Sequence, residues 1–144
     1  DRPATTSQGW VTVGGKWRYV GNDGAYATGW IKVKGTWYYL HGNGDMATGW
    51  LKLGKTWYYL KGSGAMATGW LKLGKTWYYL KGSGAMATGW YQVGRTWYYS
   101  NGSGAMQANR WIGNYYVKSS GAMATSQWIG RYHVNASGKW DKTR

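Results

Sequence analysis

The sequence predicts an all-β fold, a solenoid of stacked β-hairpins, on three observations. Trp10, Trp30, Trp50, Trp70 and Trp90 recur every twenty residues, as do Trp17, Trp37, Trp57, Trp77 and Trp97. Each unit carries two short runs of β-forming residues around a two-residue turn signal. The apolar supply of this 144-residue chain is concentrated in 13 Trp and 14 Tyr, with no Phe. A fixed period of this length marks an array whose units are too small to fold alone. A lone hairpin is marginal in water, so neighbours must stack.

The polar stretch at residues 1–8 reads as a leader or linker, and Asp1 as a cut point inside a longer protein with a partner domain before it. Five twenty-residue repeats follow over residues 9–108. Two of them are identical, Gly49 to Thr68 and Gly69 to Thr88, both GWLKLGKTWYYLKGSGAMAT. The runs WLKL and TWYYL flank Gly54-Lys55. If Leu53 pairs with Thr56, the two-residue period puts Trp50, Lys52, Trp57 and Tyr59 on one face, and Leu51, Leu53, Tyr58 and Leu60 on the other. Lys61-Gly62-Ser63-Gly64 is then a loop, and Met66 links it to the next hairpin. After Met106 the step shortens, with Met123 and Trp140 following at intervals of seventeen. Residues 109–142 therefore form two shortened repeats, and 143–144 a tail. Four residues are lost at each tip, two per strand, which preserves the facing of the side chains. Trp111 still opposes Tyr116 and Trp128 opposes His133, but the second Trp is gone, so these hairpins read as a cap or a differently used end.

One face of each full hairpin displays two indoles from opposite strands, and the next hairpin brings a Tyr against them. Arg18 in the first repeat stands where later repeats have Tyr38, Tyr58, Tyr78 and Tyr98. A hairpin with no predecessor has no box to close, so this substitution picks out the closing Tyr. The expected trios are Trp10, Trp17 and Tyr38; Trp30, Trp37 and Tyr58; Trp50, Trp57 and Tyr78; Trp70, Trp77 and Tyr98; and Trp90, Trp97 and Tyr115. Such a box suits a cation with a methylated, weakly hydrated surface, for which choline is the natural candidate. A primary ammonium is harder to desolvate, and a sugar wants more hydrogen bonding than Gly, Ala and Met supply. Tyr39, Tyr59, Tyr79 and Tyr99 are expected to pack, and Met46, Met66, Met86 and Met106 either to line sites or to fill gaps.

The unit GWLKLGKTWYYLKGSGAMATGW resembles the choline-binding, or cell-wall-binding, repeat of Gram-positive surface proteins and of bacterial and phage lytic enzymes. The resemblance covers residues 9 to about 142 and rests on several Trp, Tyr, Gly and Met positions recurring together. It implies a left-handed solenoid in which choline or phosphocholine of teichoic or lipoteichoic acid sits between consecutive hairpins, held by two Trp from one and a Tyr from the next, often with Met nearby. It implies a secreted, extracellular, cell-wall-associated protein. Relatives that bind glucans are part of the family too. Trp111 and Trp128 lack the second Trp, so complete sites are not expected there.

Composition narrows the chemistry. With 4 acidic residues, all Asp, and no Cys, paired-carboxylate hydrolysis and thiol or zinc-thiolate sites are hard to assemble. His41 and His133 occupy non-equivalent positions without a ligand cluster, so neither metal nor cofactor is expected. No triad or phosphate-cradling loop is positioned, and the chain reads as a binding module rather than an enzyme. No run is long and apolar enough for membrane insertion. A formal charge of +14 has two readings, a solvated surface or attraction to an anionic polymer such as teichoic acid. Lys32, Lys52 and Lys72 lie on the Trp face, near any phosphate attached to a boxed choline. A glycan-binding array is the alternative, then a structural adhesin spacer. Nucleic-acid binding is a distant reading, because the repeat already explains the aromatics.

Overall fold

The computed structural model describes residues 9–144 and is all-β; the leader expected at residues 1–8 lies outside the described residues. The described residues divide into two compact units, 9–68 with 82–85 and 69–81 with 86–144.

The first unit holds three antiparallel hairpins: β1 (Gly9–Val13) with β2 (Lys16–Val20), β3 (Gly29–Val33) with β4 (Thr36–Leu40), and β5 (Gly49–Leu53) with β6 (Thr56–Leu60). Their register is the expected one, with Trp50 opposite Tyr59, Lys52 opposite Trp57 and Leu53 opposite Thr56. Each tip is a two-residue turn whose first residue has positive φ, which Gly14 and Gly54 supply freely and Lys34 adopts at φ 50. After each hairpin the chain doubles back, so that Leu40 bridges Met46 and Leu60 bridges Met66. The Met main chain then docks on the hairpin before. Met46 N–H donates to the Trp17 carbonyl at 2.9 Å and Met66 N–H to the Trp37 carbonyl at 2.9 Å. The core is one aliphatic position per repeat, Val20, Leu40 and Leu60, each fully buried, and Ala47 and Ala67 are buried as well. Arg18, in the place of a closing Tyr, pairs with Asp45 of the following repeat at 3.1 Å and lies over the Tyr26 ring.

The second unit repeats the plan with β7 (Gly69–Leu73) and β8 (Thr76–Leu80), β9 (Gly89–Val93) and β10 (Thr96–Ser100), and the shortened pair β11 (Arg110–Ile112) and β12 (Tyr115–Val117). Trp111 opposes Tyr116 and Trp128 opposes His133, as the two-residue deletion from each strand requires. The last hairpin, β13 (Gln127–Ile129) and β14 (Tyr132–Val134), gains a third strand, β15 (Trp140–Thr143). The sequence reading did not separate this strand from its repeat.

Leu80, Val117 and Val134 keep the aliphatic position of the core, but Ser100 interrupts it. Its polarity is matched by Tyr91, which stands where the other full repeats have an aliphatic residue. The two hydroxyls are 2.8 Å apart and buried. The larger ring offsets the smaller serine, and burial raises the Tyr91 phenol above the usual tyrosine range. The protonated phenol thus contributes stability that is present below that range and lost as pH rises through the raised value. Ser100→Ala leaves the Tyr91 hydroxyl without its partner and is expected to destabilise the protein by about 1–3 kcal/mol. The double change Tyr91→Leu with Ser100→Leu rebuilds the pattern of the other repeats and should recover the loss. Urea denaturation of the single and double variants checks the pair, and equal losses in both would refute the compensation.

Candidate functional site

Alternation along β1 and β2 places Trp10 and Trp17 on one face, and β4 delivers Tyr38 to them. The two indoles meet as perpendicular walls, with centroids 6.5 Å apart and planes at 87°. Tyr38 closes a third side at 4.8 Å from Trp10, tilted by 69°. The resulting open cavity of about 340 Å³ is lined by these rings together with Met46, Gly62 and Ser63. None of these lining residues carries a formal charge, so the field inside is that of ring faces and the thioether.

The arrangement recurs. Trp30 stands 6.4 Å from Trp37 and 5.1 Å from Tyr58. In the second unit Trp70 is 6.3 Å from Trp77 and 4.8 Å from Tyr98, around a cavity of about 320 Å³ that Met106 and Ser120 also line. Trp90 and Tyr115 are 5.6 Å apart and share with Trp97, Met123 and Ser137 a cavity of about 360 Å³. Trp50 and Trp57 form the same corner at 6.3 Å in the first unit, and Tyr78 belongs to the second.

Tyr39, Tyr59, Tyr79 and Tyr99 each brace the inner Trp of their own hairpin from its cross-strand position, at 4.9 to 5.1 Å. Lys32, Lys52 and Lys72 stand over the outer rings of Trp37, Trp57 and Trp77, with Nζ 5.6 to 5.8 Å from the centroids. His133, expected as an ordinary polar position, pairs its Nδ1 with Asp141 at 2.7 Å.

Models of the choline-binding repeat match this chain almost end to end, one at residues 7–48, 27–69, 47–91 and 67–111 and another at 105–140. The chain belongs to the choline-binding repeat family. Among solved structures it is similar to CbpJ from Streptococcus pneumoniae TIGR4, at 47% identity and a TM-score of 0.86, covering 94% of this chain and 48% of that one. CbpF, the choline binding protein F of Streptococcus pneumoniae, was solved in complex with ipratropium. It is 43% identical with a TM-score of 0.84, covering 94% of this chain and 49% of its own. The modular autolysin LytC from Streptococcus pneumoniae is 36% identical with a TM-score of 0.76, covering 95% and 33%. This chain thus spans about half the length of CbpJ and CbpF. No curated protein matches it.

Within these choline-binding repeats, three features escaped the sequence reading. Met123 lines a cavity that was credited with no methionine, although it continues the series from Met46 to Met106. Loop serines, two repeats beyond the Trp pair, form part of the rim at Ser63, Ser120 and Ser137. The loop glycine that follows gives the methionine its room. A Cβ on Gly121, itself at φ +89, would lie 2.5 Å from Met106 Sδ.

Proposed function

We propose that the chain is a non-catalytic targeting module that holds its parent protein to the bacterial envelope by binding choline of teichoic or lipoteichoic acid. The sites are the trios closed by Tyr38, Tyr58, Tyr98 and Tyr115, lined where present by Met46, Met106 and Met123. Trp50 and Trp57 present the same perpendicular corner of rings within the first unit. The observation that carries this reading is an uncharged corner of near-perpendicular aromatic rings, open on one side. Ring faces attract a quaternary ammonium, which gives up little hydration on entering, and the corner offers few hydrogen bonds to a primary ammonium or a sugar. The ipratropium complex of CbpF supports the reading, since that ligand carries a quaternary nitrogen.

Net charge favours the polymer over free choline. A chain of +14 repels an isolated cation, whereas a choline borne on a phosphodiester arrives inside an anionic field. Wall association at the surface of a Gram-positive bacterium follows, and LytC illustrates a setting in which such a module serves a lytic enzyme. Titration with choline should quench or shift Trp fluorescence and release the protein from choline-bearing walls. Equal displacement by ethanolamine, or displacement by dextran with choline inert, would refute the assignment.

The methionine wall gives a finer test. Gly94→Ala and Gly121→Ala each force Ala into the left-handed region, at about 1 kcal/mol of stability, and nothing lies within 4 Å of a Cβ at Gly94. Only Gly121→Ala pushes Met106 aside, so only it should weaken choline at Trp70, Trp77 and Tyr98. Calorimetric titration of both variants distinguishes the two effects.

A further inference from the structure

The shortened repeats, credited with no complete site, contain one built differently. Losing four residues removes the second Trp of the β11–β12 hairpin and leaves Asn114 in its place on the backbone. Where Met123 N–H donates to the Trp97 carbonyl at 2.8 Å, Trp140 N–H donates to the Asn114 carbonyl at 2.8 Å. Trp140 therefore occupies the methionine position of the series and reaches over the shortened tip into the space the missing indole vacates. Tyr132, the closing Tyr of the last hairpin, lies 5.9 Å from Trp111 at 85° and 5.9 Å from Trp140 at 87°. These rings, with Gly113 and Asn114, line a cavity of about 340 Å³, the size of the one at Trp10 and Trp17.

We propose that Trp111, Tyr132 and Trp140 form a further quaternary-ammonium site, in which the second indole comes from the methionine position. The proposal rests on the choline reading of the regular trios and extends it to a cage that they do not describe. Tyr132 and Trp140 are 42% and 44% exposed, as open as the outer Trp of the regular boxes, so these rings are not spent on the core. Their placement is nonetheless fixed. Trp140 Nε1–H donates to Thr143 Oγ1 at 3.2 Å, the His133–Asp141 pair ties β15 to β14, and Arg144 N–H donates to the Arg131 carbonyl at 2.9 Å. The neighbouring Trp128 differs in how closely it is covered: the Arg144 guanidinium lies 4.4 Å from its ring centroid, against 5.6 to 5.8 Å for the lysines over Trp37, Trp57 and Trp77.

The test is choline titration of the full chain with its Trp indole N–H groups observed by NMR, and ethanolamine as the control. The Trp111 and Trp140 signals should move saturably with choline and little with ethanolamine. Trp140→Met restores the residue of the equivalent positions, keeps the backbone hydrogen bond and removes one wall. It should raise half-saturation at Trp111 by about tenfold or more, while Trp10 and Trp90 respond as before. Trp111 and Trp140 signals that stay still while Trp10 and Trp90 shift would overturn this site and leave the regular sites standing. If no indole responds, both readings fall. A wild-type response at Trp111 that Trp140→Met leaves unchanged would also overturn the proposal.

Discussion

Replacing Trp17, Trp77 and Trp97 together by Ala should abolish retention on a choline-bearing support at concentrations where the unaltered chain stays bound. Each outer indole is one wall of a corner, and a desolvated cation–π contact contributes about 1–2 kcal/mol, or roughly tenfold in affinity at that site. Free choline therefore registers each loss as one weakened site. A polymer registers the losses together, because tethered sites act through effective concentration, and losing several of them costs about 10² to 10⁴ in avidity. The outer rings are the right targets because Trp17, Trp77 and Trp97 are 48%, 40% and 39% exposed, so truncation opens no core cavity. The thermal midpoint should move little. Retention equal to wild type would refute multivalent caging, and global unfolding would assign these rings to the core instead.

How far this site was legible in the sequence depended on which residues carried a periodic signal. Strand register followed from alternation about Gly54-Lys55, because a slip by one residue would turn Leu60 outward. The closing Tyr was readable from a single departure, Arg18. The structure gives that departure a physical account, since the guanidinium pairs with Asp45, which replaces an Ala of the other full repeats. That ion pair joins residues 27 apart, and no local rule reports it. The cage at Trp111 was hidden for a related reason. Trp140 was visible as the successor to Met123 in spacing, but its ring becomes a wall only because the β11–β12 tip is short. The consequence of a deletion at one hairpin appears in a side chain 26 residues further on, at Asn114 and Trp140. The Tyr91 and Ser100 exchange was equally opaque, because each looks unfavourable until the buried hydroxyl pair is seen.

Leu40→Ala should have the largest effect on stability, a loss of about 2–5 kcal/mol. Leu40 is fully buried, and among the described residues of the first unit the apolar side chains that share its burial are few: Val20, Leu60, Ala47 and Ala67. With aromatic rings committed to open corners, one aliphatic position per repeat has to exclude water from the hairpin stack, so truncation there removes a large share of a marginal total. The same argument makes choline a stabiliser. A ligand that binds the folded form alone adds about 2.7 kcal/mol at a hundred times its dissociation constant for each site. The trios closed by Tyr38 and Tyr58 both lie in the unit that Leu40 supports, so saturating choline should restore much of the lost urea midpoint, and ethanolamine should not. A loss below about 1 kcal/mol would mean that the rings themselves hold the hairpins together. In that case the exposure of the outer indoles would no longer argue for a ligand. Midpoints for Leu40→Ala and Trp17→Ala, each with and without choline, separate the two roles: Leu40→Ala should lose stability and keep the choline gain, whereas Trp17→Ala should keep stability and lose part of that gain.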